Sequence, residues 1–419
     1  MKAANRLALA LALAFATPLH AGYLPDSAAA EAALLGSSTV SQARGEFAAQ
    51  TLRSQGLARG REEWVVGTDV AQRRIQTPVR DHQPEWGLAL SRPLRLPGRA
   101  EADRALAGAL TAHAEAGLGE TLHESGRQLL ALWFDWLNEA SQTLLWLAQL
   151  QLGEQQLAAV NARIRLGEAP RFERVSSEAA LAQVRLRQQQ AAAREQQARS
   201  RLQAQFPGLP VTADEALPPP LRPDGTADDY VDAVLDHSHE LLRARRRAEA
   251  LQAEARQLAK RGVVDPSVGV FYRNEVGGNE HVLGLNVGLT LPGAARRFDQ
   301  QAAEQLSATG EAAVIRLEQR LRQEARADFE AAVAQAANWQ QADRAARALD
   351  EAARLAARAY SLGEGSLDQV LLSRRLALEG RLQAQQAQLA GLAADARLKL
   401  DAHRLWSLDA GTDAAQAHP

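Results

Sequence analysis

The residues of this 419-residue chain that could do chemistry are few and scattered. There is no cysteine, which removes thiol nucleophiles, disulfides and thiolate metal sites together. No GxSxG, HExxH or Walker-type loop occurs. His237-Ser238-His239 brings two metal-ligand side chains into close spacing. On one helix, positions i and i+2 do not share a face, so the pair reads as two solvated rings and no metal or cofactor is expected. His82 and His281 fall in or beside predicted turns and read as wet side chains. No acid–base or nucleophile constellation forms, so the chain does not read as an enzyme. What repeats is mechanical. Leu166-Gly167-Glu168 and Leu362-Gly363-Glu364 each interrupt long runs of Ala, Gln, Arg, Glu and Leu, where a glycine costs about 1 kcal/mol relative to alanine.

Those two turns separate very long helical tracts. The pattern predicts helices over about 99–165, 170–205, 294–361 and 366–405. The first and third would each be roughly 100 Å long at 1.5 Å per residue, a length that implies coiled-coil packing. Shorter helical stretches are expected at about 38–59 and 228–260. Pro93-Leu-Arg-Leu-Pro97-Gly98 returns as Gly288-Leu-Thr-Leu-Pro292-Gly293, and the LGE turn returns at nearly the same offset. Such recurrence reads as an internal duplication.

Before each long helix lies a pair of alternating segments. Leu283, Leu285, Val287, Leu289 and Leu291 point one way, while Gly284, Asn286, Gly288 and Thr290 point the other. Its partner is 266–275, across a turn at Gly277-Gly278. Trp86, Leu88, Leu90, Leu94 and Leu96 repeat the pattern, and Trp64, Val66 and Val70 follow it less cleanly. Period-two alternation over about ten residues fits tilted strands of a membrane barrel, with Trp64, Trp86 and Tyr272 suited to an aromatic girdle. A soluble half-buried sheet would alternate too; the leader and the lack of a second apolar layer favour the barrel. Four strands cannot close one, since about eight are needed, so the chain must oligomerise. Spacing alone leaves two or three chains open.

Residues 1–21 carry Lys2 and Arg6 before an apolar run at 7–16 and read as a secretory signal. Its removal moves the formal net charge from −2 to −4, which argues against a nucleic-acid binder. No later apolar run is long enough for a transmembrane helix. The expected organisation continues with an N-terminal segment and helix at 22–61, a first strand pair at 62–98 and a first helical hairpin at 99–206. A proline-rich connector at 207–227 and a lead-in helix at 228–265 follow, then a second strand pair at 266–293, a second hairpin at 294–406 and a tail at 407–419.

The duplicated junctions at 92–98 and 288–293, with the tips RLGEAPRFERV (165–175) and YSLGEGSLDQVL (360–371), resemble the TolC-type outer-membrane efflux channels over about residues 40–406. The resemblance implies a mainly α protomer with four strands, three of which share a 12-stranded barrel above a helical periplasmic tunnel. It implies a homotrimer in outer-membrane lipid that docks on a periplasmic adaptor protein and an inner-membrane pump. The stretch 264–293 is most similar to the cation-efflux branch, which implies metal cations as cargo; a drug-efflux or type I protein-secretion duct is the alternative. A soluble periplasmic coiled-coil scaffold is the rival of another class. By the same resemblance, Leu166, Gly167, Glu168, Leu362, Gly363 and Glu364 would form the surfaces that the adaptor grips. Pro97, Gly98, Pro292 and Gly293 would mark the strand–helix junctions. The pore gate of such channels carries an acidic residue six positions after the tip glycine. Here Gln369 stands there, with Asp368 beside it, Leu372 at the second acidic position, and Glu173 as the equivalent in the first tip. An acidic charge at Asp368 is also what a helix start favours.

Overall fold

A computed structural model describes residues 23–60, 62–76, 78, 80–212, 217–261, 265–291 and 293–406. The leader at 1–21, the tail at 407–419 and Pro292 lie outside the described residues. The element order is α1 (Ser27–Gly36), α2 (Ser38–Arg59), β1 (Val65–Ile75), β2 (Asp81–Pro93), α3 (Pro97–Arg165), α4 (Arg171–Gln205), α5 (Ala227–His237), α6 (His239–Arg261), β3 (Asp265–Glu275), β4 (Glu280–Thr290), α7 (Ala295–Ser361) and α8 (Leu367–Asp401). The four long helices stand where the pattern of helix formers places them. Two short elements differ from expectation. Asp26 caps an extra helix, α1, by accepting from the Ala29 N–H at 2.9 Å. Ser37 then closes α1 and opens α2, donating to the Leu34 carbonyl and accepting from the Val40 N–H. The stretch expected as one helix at 228–260 is broken at Ser238, whose φ of −65° and ψ of 107° are extended.

The strands form one antiparallel sheet in the order β1-β2-β3-β4. Register puts Val66, Leu90, Val270 and Leu285 in one row, and Thr68, Leu88, Tyr272 and Leu283 in the next. These rows share one face, and much of it is uncovered: Val66 is 73% exposed and Leu285 81%. The opposite face carries Gly67, Ala89, Phe271 and Gly284 in a row, followed by Val65, Ser91, Gly269 and Asn286. The apolar run from Leu283 to Leu291 extends about 26 Å along the strand at 3.3 Å per residue. It is bounded by aromatics. Trp64 stands at the helical end under the Arg92 guanidinium, and Trp86 packs on Tyr272 with ring centroids 5.6 Å apart. Beyond that pair the strands turn polar, and Arg73 bridges Glu85 and Glu275 at 2.5 and 3.0 Å.

Each strand adjoins a helix at one end: α2 precedes β1, α3 follows β2, α6 precedes β3 and α7 follows β4. Near the sheet, α2 packs on α3, and α6 on both α3 and α7; further away, α4 packs on α3 and α8 on α7. Pro97 is the first residue of α3, where its missing N–H costs nothing and its fixed φ suits the helix. Gly98 is the second residue of that helix, and Gly293 precedes α7. One buried cluster ties the junction. Arg95, between β2 and α3, donates to Asp103 at 2.7 and 3.0 Å and to the Ala58 and Leu57 carbonyls that end α2. The other Asp103 oxygen accepts from Gln257 of α6 at 2.7 Å. Arg95 and Asp103 thereby join four segments, and the Asp103 carboxylate between Arg95 and Gln257 is 5% exposed.

The main core lies midway down the helices. Leu129, Trp133, Trp136 and Leu137 of α3 pack with Leu202 of α4, Leu392 and Leu400 of α8 and Leu34 of α1. The Trp133 indole N–H donates to the Tyr23 carbonyl. The proline-rich connector straps α8, with Gln388 donating to the Leu217 and Pro218 carbonyls. Further down α7 the buried positions Ala346, Ala353 and Tyr360 recur every seven residues, the period of a left-handed coiled coil.

Removing the shared carboxylate isolates a buried guanidinium, which costs about 3–5 kcal/mol. Asp103→Ala is expected to lower the thermal midpoint of helix loss, followed by circular dichroism. A midpoint equal to the parent's would remove the cluster from this role.

Candidate functional site: the helical reversals and their latch

The two long helices reverse by the same backbone device. Past Arg165, Gly167 adopts a φ of +77°, and past Ser361, Gly363 adopts +83°. The Glu168 N–H donates to the Arg163 carbonyl at 2.9 Å and the Gly167 N–H to Ile164 at 3.1 Å. The Glu364 N–H donates to Ala359 at 2.9 Å and the Gly363 N–H to Tyr360 at 3.1 Å. These paired bonds satisfy carbonyls that a helix end leaves open, and the left-handed residue between them favours glycine. Gly365 serves closeness instead: a Cβ there would stand 3.3 Å from the Tyr360 nitrogen. The reversals present Leu166 and Leu362, 73% and 58% exposed, beside exposed Glu168 and Glu364.

The helices restart differently. Ser366 caps α8 by accepting from the Gln369 N–H at 3.3 Å, whereas Pro170 gives α4 no side-chain cap. Asp368 is exposed in the first turn of α8. It has no hydrogen-bond or ion-pair partner among the described residues. The Gln369 side chain is exposed beside it.

Glu173 has another environment. It accepts a hydrogen bond from the Tyr360 hydroxyl, which links α4 of one hairpin to the end of α7 in the other. The Arg163 guanidinium of α3 lies 4.5 Å from the centre of the Tyr360 ring. Beneath this latch, Val160, Leu367 and Val370 pack with Tyr360 into a small core, Val370 being fully enclosed. Burial first, and then the Glu173 carboxylate, push the Tyr360 hydroxyl up to about 12. The structure therefore separates the acidic candidates: Glu173 is engaged between hairpins and Asp368 faces solvent. Tyr360 and Arg163 were not singled out from sequence. The available signal was an aromatic in the last turn before a glycine reversal, in a chain with four tyrosines.

Between the hairpins, a groove of about 870 Å³ is lined by Trp146, Leu181, Val184, Leu371, Arg374 and Leu378. Burial lowers the pKa of Arg374, and no carboxylate pairs with it among the described residues.

The pH dependence of the latch follows from its sign. The folded-state pKa of Tyr360 is raised above the free value of 10.0, so the contact contributes fully below pH 10 and is lost as the pH rises through about 12. Ultraviolet difference titration of the parent against Tyr360→Phe is expected to place this ionisation near pH 12, and Glu173→Gln is expected to bring it down part of the way. Gly363→Ala forces a side chain into left-handed backbone at a cost of about 1–2 kcal/mol, and is expected to lower the thermal midpoint.

No protein-family profile matches the sequence, and no curated protein matches it. Solved structures do. A membrane protein from Pseudomonas aeruginosa superposes with a TM-score of 0.76 at 16% identity, over 92% of each chain. The Campylobacter jejuni CmeC outer membrane channel gives 0.75 at 11% identity, over 93% of this chain and 87% of that one. The outer membrane protein VceC of Vibrio cholerae gives 0.72 at 16% identity, over 90% of this chain and 99% of that one. The strand pairs, the long helices and their reversals together form the fold that these three proteins share.

Proposed function

We propose that three copies of this chain close one barrel in the outer membrane and join their hairpins into a tunnel through the periplasm, as the exit duct of a tripartite efflux pump. The observation that carries the proposal is the sheet. Its four strands present an uncovered apolar face between aromatic borders, and β1 and β4 leave their outer edges unpaired within the chain. Lipid does not tolerate open edges, and three chains of four strands give twelve, enough for an aqueous lumen. The small and polar face then lines that lumen. No helix among the described residues is long and apolar enough to cross a membrane, so the sheet supplies the span. The duct is passive. Its work is shape and gating, and energy comes from the inner-membrane pump.

The LGE turns, exposed at the far end of the hairpins, are the surfaces offered to a periplasmic adaptor, with the groove around Arg374 beside them. The Tyr360–Glu173 latch holds the two hairpins of a chain together at the tunnel mouth, and its release lets them part. For cargo we propose metal cations; the support is the likeness of 264–293 to cation-efflux channels and the free carboxylate of Asp368 at the mouth.

Conductance in planar bilayers tests the duct and its gate together. The parent is expected to show small steady steps, and Tyr360→Phe larger and more frequent ones. Asp368→Ala is expected to weaken block of the current by divalent cations. A protein that never conducts in any form contradicts the channel, and an unchanged block removes Asp368 from the gate. Deleting the gene and measuring metal and drug sensitivity separates the cargo classes: sensitisation to drugs alone contradicts metal export.

A further inference from the structure

Four of the chain's nine histidines meet at one place. His403, in the turn after α8, lies 5.5 Å from His123 of α3, 5.3 Å from His237 at the end of α5 and 4.9 Å from His239 at the start of α6, between ring centroids. His123 and His239 are 6.1 Å apart. Residues more than a hundred positions apart are thereby gathered from three segments. The break at Ser238 makes this possible. A continuous helix would send His237 and His239 to different faces, whereas the extended residue between them turns both rings toward His403.

Two local features show backbone shaped around these rings. His403 has a φ of +53°, at the helix-end position where glycine is usual; its N–H donates to Leu400 and the next N–H to Lys399. A non-glycine residue held there is an outlier of the kind that clusters at functional sites. Across from it, Gly119 sits in the middle of α3, one turn before His123. A Cβ at Gly119 would stand 2.7 Å from the His239 Nδ1, so the glycine makes the recess in which that ring lies.

We propose that His123, His237, His239 and His403 bind one borderline divalent transition-metal ion, Zn²⁺ being the type case. Imidazole is a preferred ligand of such ions, at about 2.0–2.1 Å. Two imidazoles sharing one ion at that distance have ring centres about 5 Å apart, close to the spacings around His403. In the arrangement described, no three His, Asp or Glu side chains stand at ligand spacing, so binding turns the rings about their side-chain bonds to bring the nitrogens together. The supports around them suit a ligand set. His237 engages its Nδ1 with the Ala233 carbonyl at 2.9 Å, which leaves Nε2 for an ion. Asp401, 4% exposed, lies 3.5 Å from the His123 Nε2 and is itself held by Arg127 at 2.8 Å and Arg397 at 3.5 Å. His237 is exposed and His123, His239 and His403 are half-buried, which gives the ion a way in. The bound ion would be resident, pinning the α5–α6 break and the end of α8 to α3, whatever cargo passes through the duct.

The test is calorimetric titration of Zn²⁺ into the full-length, chelator-stripped protein in detergent. One tight ion per chain is expected. His403→Gly keeps the left-handed turn and removes a ligand. It is expected to weaken binding more than about 100-fold, since even outer-shell partners cost about 10–100-fold, while its thermal midpoint in chelator stays equal to the parent's or rises. His239→Ala is expected to weaken binding similarly, and His82→Ala, on the strand, to leave it unchanged. A parent that binds no Zn²⁺, variants at 403 and 239 that bind as tightly as the parent, or an equal loss in His82→Ala overturns the proposal. The readout is binding, so it stands apart from any result on conductance.

Discussion

A sheet whose outer strands have no neighbour leaves two rows of backbone N–H and C=O groups that water or another chain must satisfy. Here the same sheet turns an apolar face outward between tryptophan and tyrosine borders, where water is the wrong partner for half of its surface. The rest of the protein is arranged around that constraint. Each strand adjoins a helix at one end, so whatever closes the sheet also sets the spacing of the helices below it. The Arg95–Asp103–Gln257 cluster fixes this transmission, since the buried carboxylate joins α3 and α6 to Arg95, and Arg95 holds the end of α2 beside β2.

At the opposite end the constraint is the reverse. Helices of 69 and 67 residues must stop at a defined level and turn back without leaving carbonyls unsatisfied. The same glycine reversal, built twice, does this with almost identical bonds. Duplication then diverges where function would require asymmetry. The first restart carries Glu173 and no side-chain cap; the second carries Ser366, Asp368 and Gln369. The first puts its carboxylate on Tyr360 of the other hairpin, while the second reaches across with apolar side chains, Leu367 and Val370 packing with Val160. The Tyr360 hydroxyl, one cation–ring contact and the small core beneath them join the two hairpins at this end.

Much of this was readable in the residues because it is local. Period-two alternation at 283–291, long runs of helix formers and glycine at a helix end are short-range properties of the chain, and the strands and reversals lie where they point. Helix α1 escaped notice because ten residues rich in alanine have no strong period and depend on packing against Trp133 and Phe134. The break at Ser238 escaped because serine tolerates a helix interior, whereas here its hydroxyl caps α6 by accepting from the Leu241 N–H at 3.1 Å. The i, i+2 rule for His237 and His239 was sound for a continuous helix, and the helix is not continuous. The latch and the histidine cluster are products of pairing between residues such as 173 and 360, or 123 and 403, which no window along the chain brings together. The register of Asp368 and Gln369 could be seen, but not that Glu173 would be engaged elsewhere.

The claim on which the rest turns is that unpaired sheet edges are closed by two further copies of the chain. Native mass spectrometry of the protein extracted from outer membranes in mild detergent counts those copies directly. Three chains, held together until the detergent or heat is made harsher, are predicted. A monomer recovered in the soluble fraction, with its sheet edges in water, would contradict it.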